Sequence, residues 1–432
     1  MNAISIGLLG LGTVGSGVIK IIENHQGKLM HQVGCPIKVK KVLVQTLDKD
    51  RGVDIDPAIL TTNVEDIIDN PEIDVVIEVM GGVEQTKEYL LKAIQNKKHI
   101  VTANKDLMAL HGSELLSKAT NNGCDLYYEA SVAGGIPIIR SLVDGLSSDR
   151  ITKLMGIVNG TTNYILTKMT QEGLAYDDVL KEAQALGFAE ANPASDVEGL
   201  DAARKMVILS TLGFSMRVSL DDVKTTGITT VNEEDLHYAK QLGYTMKLLG
   251  IAHRDGEKVE VSVQPTLLPQ SHPLASVNNE YNAVYVYGEA VGETMFYGPG
   301  AGSLPTATSI VADLVAVVKN MRLGINGSHA VAPQFEKNIK APEEIFSKYF
   351  LRIHAKDEVG VFSEITAVFA KFGVSFEKIL QLPVKEEGLA EIVVVTHRAS
   401  LKNYEEILMQ LRDLNAIKVI KSSYRVEGSA DA

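Results

Sequence analysis

Between Gln184 and Leu209 the chain reads QALGFAEANPASDVEGLDAARKMVIL. Four carboxylates, Glu190, Asp196, Glu198 and Asp201, precede a single lysine at Lys205. Asp201 and Lys205 stand four residues apart, so on a helix they face the same way. As an exposed ion pair they would contribute only about 0.3–0.5 kcal/mol. The continuation Met206-Val207-Ile208-Leu209 is apolar on every face, and a helix of that kind is buried. A lysine where such a helix begins is at least half enclosed, and enclosure requires a partner. Enclosure moves a lysine's pKa down toward the range useful for proton transfer, while nearby carboxylates move it up. The same carboxylates suit an ammonium-bearing substrate.

Gly10-x-Gly12-x-x-Gly15, with Thr13 and Val14 inside it, sits between a predicted strand and a predicted helix. The first glycine permits the turn, the second lets backbone approach a pyrophosphate, and the third lets helix and strand pack closely. The helix N-terminus then offers N–H groups to the anion. The second strand ends VLVQTLDKDR, with neutral Gln45 followed by acids and bases together, so the residues favour neither NAD nor NADP. In VTANKDLMA, Lys105 follows a strand in a loop entering a helix, at the carboxyl edge where ligands of open α/β sheets bind. The plain alternative is a solvated loop lysine. Glu129 opens EASVAGGIPII, whose small-residue turn could aim several carbonyls at one hard cation, or simply cross between domains. Asn159-Gly160-Thr161-Thr162 could hydrogen-bond a polar substrate or cap a helix.

These residues need a scaffold. Apolar strand-like runs alternate with helical patterns over the first 130 residues, the order of a parallel sheet covered on both faces. The centre mixes helices with strands of an antiparallel α+β domain, and NEEDLHYAKQLGYTMKLLGIA reads there as one helix. PTATSIVADLVAVVKNMRLG reads as a long helix, and GSELLSKATNNG as a shorter one. After a Gly-, Pro- and Lys-containing linker the order becomes βαββαβ, which is ferredoxin-like. The expected division is a dinucleotide-binding domain at 1–135 with helix 305–325 packed back on it. A substrate-binding and dimerisation domain follows at 136–304, then a linker at 326–347 and a tail domain at 348–427.

Composition excludes several classes. The 432 residues suggest two to four domains at about 100–200 residues each. A net charge of −12 argues against nucleic-acid or anionic-membrane partners. No uninterrupted apolar window suits a membrane span. The N-terminus lacks the basic start of a signal peptide. Cys35 and Cys124 are far apart, which fits a reducing cytoplasm, and the histidines fall into no zinc pattern.

In order along the chain, GLGTVGSGV, NKDLMA, EASVAGGIPII, GIVNGTTNYIL, GFAEANPASDVEGLDAARK and YGPGAGSLPTA resemble the homoserine dehydrogenases over residues 3 to 325. LRIHAKDEVGVFSEITAVFAKFGVSF resembles an ACT domain. The resemblance implies a Rossmann-type NAD(P)-binding domain, a central catalytic domain and a C-terminal ACT domain. It implies NAD(P)-dependent interconversion of L-aspartate 4-semialdehyde and L-homoserine, a branch-point step toward threonine and methionine. Carried over by position, Lys205 is the proton donor and Lys105 a second acid/base or polarising group touching the cofactor. Glu190 and Asp201 hold the substrate, with the Gly187 backbone nearby. Glu129, with carbonyls of Val132, Gly134 and Ile136, matches a sodium site, and Gly302 matches a loop returning to the cofactor. Gln45 departs from the arginine of NADP-preferring members. An effector such as threonine could bind at Lys356–Phe362; the plain alternative is an oligomerisation module. A homodimer or homotetramer is expected, because an open ACT sheet leaves edges to cover. Competing functional readings are a reductase of another semialdehyde, an aspartate dehydrogenase, or a non-catalytic NAD(P)H-sensing, amino-acid-binding regulator.

Overall fold

A computed structural model describes residues 3–328, 332–384 and 388–428. Part of the expected linker, 329–331, part of the expected tail domain, 385–387, and both chain ends lie outside the described residues. The chain forms two compact units. One comprises Met1–Leu154, Arg204–Asp221 and Asn282–Lys337; the other comprises Met155–Ala203, Asp222–Tyr281 and Asn338–Ala432.

The first unit contains a six-stranded sheet: β1 (Ile4–Leu9), β2 (Ile37–Leu43), β3 (Leu60–Thr61), β4 (Val75–Glu78), β5 (His99–Thr102) and β6 (Leu126–Tyr127). They run parallel in the order β3-β2-β1-β4-β5-β6. Strands β4 and β5 are buried at every position, as parallel strands covered on both faces must be. The order reverses between β1 and β4, and ligands of open α/β sheets bind at such a switch point, beyond the strands' carboxyl ends. Five helices alternate with the strands: α1 (Thr13–Asn24), α2 (Gln26–Val33), α3 (Glu65–Ile68), α4 (Glu84–Gln95) and α5 (Lys105–Asn121), followed by the short α6 (Ile138–Arg140). Helix α5 begins seven residues before the predicted Gly112, because Asn104 caps it by accepting from the Leu107 N–H at 3.1 Å.

The chain continues through β7 (Ile151–Ile157), α7 (Gly160–Glu172), α8 (Tyr176–Ala185), α9 (Ala194–Val197) and α10 (Leu200–Phe214). Next come β8 (Val223–Thr225), α11 (Glu233–Gln241), β9 (Tyr244–Asp255), β10 (Lys258–Pro269), β11 (Tyr281–Gly288), β12 (Gly292–Pro299) and α12 (Ser303–Leu323). Helix α12 shares a core with α1 and β1: Ile310, Leu314, Val317 and Val318 pack with Ile6, Leu8, Val18 and Ile22. The single helix expected over 232–252 is a helix and a strand. Gly243 at φ +81° ends the helix, and every residue of β9 then pairs with β10. Tertiary pairing overrides the helix propensity of Met246-Lys247-Leu248-Leu249.

The second unit closes with β13 (Phe346–Lys356), α13 (Val361–Lys371), β14 (Phe376–Pro383), β15 (Leu389–Thr396), β16 (Ala399–Ser400), α14 (Leu401–Arg412) and β17 (Ile417–Val426). Strands order as β17-β13-β15-β14, all antiparallel, which is the ferredoxin-like arrangement. Leu351, Ile353, Ile365, Phe369, Ile407 and Leu411 form its core. The tail is stitched to the rest of this unit. Strand β17 runs parallel to β10 through Thr266↔Arg425 and Leu267↔Val426. Arg352 on β13, 1% exposed, meets Asp235 of α11 at 2.8 Å and Glu234 at 2.6 Å. Among the described residues, no helix is long and apolar enough to cross a membrane.

Candidate functional site

The glycine turn in the first unit performs its three tasks at three separate positions. Gly10 lies at φ +105°, a conformation that side chains resist, and follows β1 directly. A Cβ on Gly15 would stand 2.3 Å from the Gly10 carbonyl oxygen, so only glycine lets α1 approach the turn. A Cβ on Gly12 would meet nothing within 4 Å, which leaves open space over the start of α1. Thr13 is exposed and Val14 half-buried there. Backbone N–H groups of a helix's first turn have no intrahelical acceptor, so an anion fits them. Gly302, at φ +114°, precedes α12, and the Ser303 hydroxyl donates to the Thr13 carbonyl at 2.7 Å. The Gly302 loop therefore borders the glycine turn. Gln45 is exposed just past β2, and Arg51 folds back to donate to the Lys49 carbonyl at 2.6 Å and to that of Thr46.

Beyond β4 and β5 lies a network that sequence reasoning missed. Glu78, fully buried at the end of β4, accepts from the Met80 N–H at 2.8 Å, the Gly81 N–H at 3.1 Å and the Thr102 hydroxyl at 2.6 Å. Burial pushes this carboxyl up, and those hydrogen bonds oppose the shift. Asn104 donates to the Gly82 carbonyl at 2.7 Å while capping α5. The signal available in the sequence was one acid ending an otherwise apolar strand, and one asparagine before Lys105-Asp106. Lys105 is thus fixed as the first residue of α5, half-buried, 3.9 Å from Asp106. Asp106 in turn pairs with Arg204 of α10 at 2.7 Å. Lys105 and Lys205 are the chain neighbours of that pair, so this bridge brings the two lysines' backbones to one locality. Lys205 is half-buried, and Met206 to Leu209 beyond it are buried.

In the second unit the carboxylates gather around one amide. Asn159 does two jobs. Its Oδ1 caps α7 by accepting from the Thr162 N–H at 2.9 Å, and its Nδ2 donates to Asp196 at 2.7 Å and Asp201 at 2.8 Å. Asp201 is 6% exposed. Nδ2 carries two hydrogens, so each carboxylate takes one and keeps lone pairs for a further donor. Glu190 and Glu198 are exposed and lie outside this network, although the Glu190 carbonyl accepts from Gln184 at 3.1 Å. Gly187, exposed at φ +79°, ends the turn after α8.

Glu129 returns to the first unit. Buried, its carboxylate accepts from the Ile139 N–H at 2.7 Å and the Arg140 N–H at 2.8 Å. Burial pushes it up against those two hydrogen bonds. Asp313 of α12 accepts from the Glu129 N–H and from the Arg140 guanidinium, both at 2.8 Å. Burial, with Glu129 close by, drives Asp313 up to about 8. Ala133 and Gly134 both have positive φ, and the Gly134 carbonyl accepts from Ser309 at 2.7 Å. Among the described residues, no three His, Cys, Asp or Glu side chains group as a metal site.

Comparison with known proteins agrees with this chemistry. A family model described as homoserine dehydrogenase matches residues 137–315, and one described as homoserine dehydrogenase, NAD binding domain, matches 10–129. An ACT domain model matches 349–416. A homoserine dehydrogenase of Bacillus subtilis (strain 168) is 68% identical over 430 residues, 99% of each chain.

The chain belongs to the homoserine dehydrogenase family.

Solved homoserine dehydrogenases share its fold. The structure from Thiobacillus denitrificans has a TM-score of 0.93 at 40% identity and covers 99% of both chains. One from S. aureus has a TM-score of 0.80 at 39% identity, covering 99% of this chain and 100% of that one. The chain is an NAD(P)-dependent oxidoreductase of the homoserine dehydrogenase type, with a Rossmann-type domain, a catalytic domain and an ACT domain.

Proposed function

We propose that Lys205 gives the proton to the aldehyde oxygen as L-aspartate 4-semialdehyde is reduced to L-homoserine, and takes it back in the reverse direction. Bound NAD(P)H supplies the hydride; the chain's own groups bind, orient and move the proton. Reduction of a carbonyl builds negative charge on its oxygen, which a positioned ammonium both stabilises and neutralises. The proton leaves Lys205 Nζ for that oxygen, and solvent reprotonates the amine. Lys105 polarises the same region and touches the cofactor. Asp201 takes the substrate ammonium, with Glu190 and the Gly187 backbone as further contacts. The observation that carries this reading is the Asn159 amide between Asp196 and Asp201, one helical turn before Lys205 on α10.

The N–H groups of Thr13 and Val14, within the Gly10, Gly12 and Gly15 turn, would hold the cofactor pyrophosphate, with Gly302 closing over it. Either NAD or NADP fits a loop that carries both acids and Arg51. A sodium ion would sit at Glu129 with carbonyls of Val132, Gly134 and Ile136. The donors are hard oxygens, and a cation there would favour the ionised form of a carboxylate that burial disfavours. Domains divide as 1–135, 136–304 and 348–427, and the chain works as a homodimer or homotetramer in the cytoplasm. The ACT domain takes an amino acid such as threonine near Lys356–Phe362.

Following NADH and NADPH absorbance in parallel with aspartate semialdehyde tests this reading. Asp201→Asn should raise homoserine KM by at least about tenfold, close to the loss of one charged contact. An unchanged KM would remove Asp201 as the anchor. Turnover unaffected by millimolar threonine, with oligomer size also unchanged, would remove the feedback reading.

A further inference from the structure

Lys247 is a buried lysine that the reaction does not use. It lies on β9, 1% exposed, and all three of its hydrogen-bond acceptors are neutral. Its Nζ donates to the Val277 carbonyl at 2.5 Å, Asn163 Oδ1 at 3.2 Å and Asn278 Oδ1 at 3.4 Å. A core selected for packing alone would hold Met or Leu there, because a buried ammonium without a carboxylate is costly.

The segment that this ammonium grips, 277–281, is held from a second side. Asn163, fully buried on α7, shares its two Nδ2 hydrogens among the carbonyls of Val277 at 3.1 Å, Asn279 at 2.8 Å and Tyr281 at 3.2 Å. Thr167 Oγ accepts from the Asn279 N–H at 3.1 Å. Asn279 sits at φ +58°, a left-handed conformation that asparagine adopts more readily than other side-chain-bearing residues. The segment also lies directly on the first turn of α7. A Cβ on Gly160 would stand 2.6 Å from the Glu280 carbonyl oxygen, which explains the glycine of Asn159-Gly160-Thr161-Thr162. The residue before Gly160 is Asn159, the amide that holds Asp196 and Asp201.

We propose that Lys247 is a positioning residue of this enzyme: through Asn163 and residues 277–281 it fixes the first turn of α7, and so where Asn159 presents Asp201 to the substrate. The proposal rests on the reading of Asp201 as substrate anchor. Lys247→Met replaces the side chain by one of similar length and removes every donor. Homoserine KM rises by at least about tenfold while kcat stays within about threefold and the NAD(P)H Kd is unchanged, since misplacing an anchor by a fraction of an ångström weakens binding on that scale. A folded Lys247→Met with wild-type KM overturns the proposal. So does a variant in which cofactor Kd, KM and Tm all worsen together, because that is general loosening. If Lys247→Met does not fold, Thr167→Val decides: it keeps its size and loses only the acceptor for Asn279 and its own bond to the Asn163 carbonyl. A KM rise of about threefold or more there supports the proposal, and none overturns it. Asp201→Asn run in parallel separates the two readings, since an unchanged KM in that variant overturns the anchor whatever Lys247 does.

Discussion

Replacing Asn159 by Asp isolates what its amide does. Aspartate is as good a helix cap as asparagine, so the bond to the Thr162 N–H survives. The two donated bonds, 2.7 Å to Asp196 and 2.8 Å to Asp201, become contacts among three carboxylates. A hydrogen bond to a charged group contributes about 1.5–3 kcal/mol, and half-buried Asp196 belongs at the low end. The expected loss is about 3 kcal/mol or more at pH 8. Asn159→Ala loses the cap as well, a further ~1 kcal/mol. The new carboxyl, crowded by two others, has a folded pKa above its unfolded one. Its contribution is therefore recovered as pH falls and lost as pH rises, so Asn159→Asp at pH 5 should lie closer to wild type than at pH 8. Urea unfolding followed by circular dichroism, with homoserine KM at both pH values, measures this. Wild-type stability and KM for Asn159→Asp at pH 8 would refute the amide's bridging role.

Gly12→Ala should leave Tm unchanged and raise the NAD(P)H Kd, because its Cβ meets only the space proposed for the pyrophosphate; Gly15→Ala should lower Tm, because its Cβ meets the Gly10 carbonyl at 2.3 Å. Thermal melts beside fluorescence titration with NAD(P)H separate the two. Arg352→Ala leaves fully buried Asp235 without its guanidinium, held by the Ser422 and Tyr424 hydroxyls, and should cost about 3 kcal/mol in urea unfolding. Lys247 has its pKa lowered by burial from 10.5 to about 8. The folded chain thus loses this proton before the unfolded chain does, and stability rises between pH 8 and 10.5. At about 1.4 kcal/mol per pH unit the gain approaches ~3 kcal/mol, and the difference between wild type and Lys247→Met over that range reads it.

The sequence carried the order of elements well where pattern and caps agree. Helix α10 matches its apolar run, and the glycine turn between β1 and α1 needed only local spacing. Boundaries failed where a local signal competed with a distant one. Gly112 looked like a helix start, yet the start was set by Asn104, itself held by Gly82. Strand β9 carries the helix-favouring residues Met, Lys and Leu, and its place in the sheet between β7 and β10 decides otherwise. The half-enclosure of Lys205 is legible in the apolar run from Met206 to Leu209. That Asn159 both caps α7 and reaches Asp196 and Asp201 could not be read, since those partners lie 37 and 42 residues away. Glu78 is not legible in the sequence, because a single acid at a strand end carries no spacing pattern; its role comes from a turn and a neighbouring strand. The grip of Lys247 on 277–281 is likewise long-range and invisible to periodicity.

The most direct test of the central claim is the single-turnover rate of NAD(P)H oxidation by aspartate semialdehyde, at saturating substrate, in Lys205→Ala beside Lys105→Ala. General-acid groups contribute about 10²–10⁴-fold, so Lys205→Ala should fall by at least about 10²-fold while remaining folded, with the smaller loss in Lys105→Ala. A near wild-type rate in folded Lys205→Ala would contradict the account.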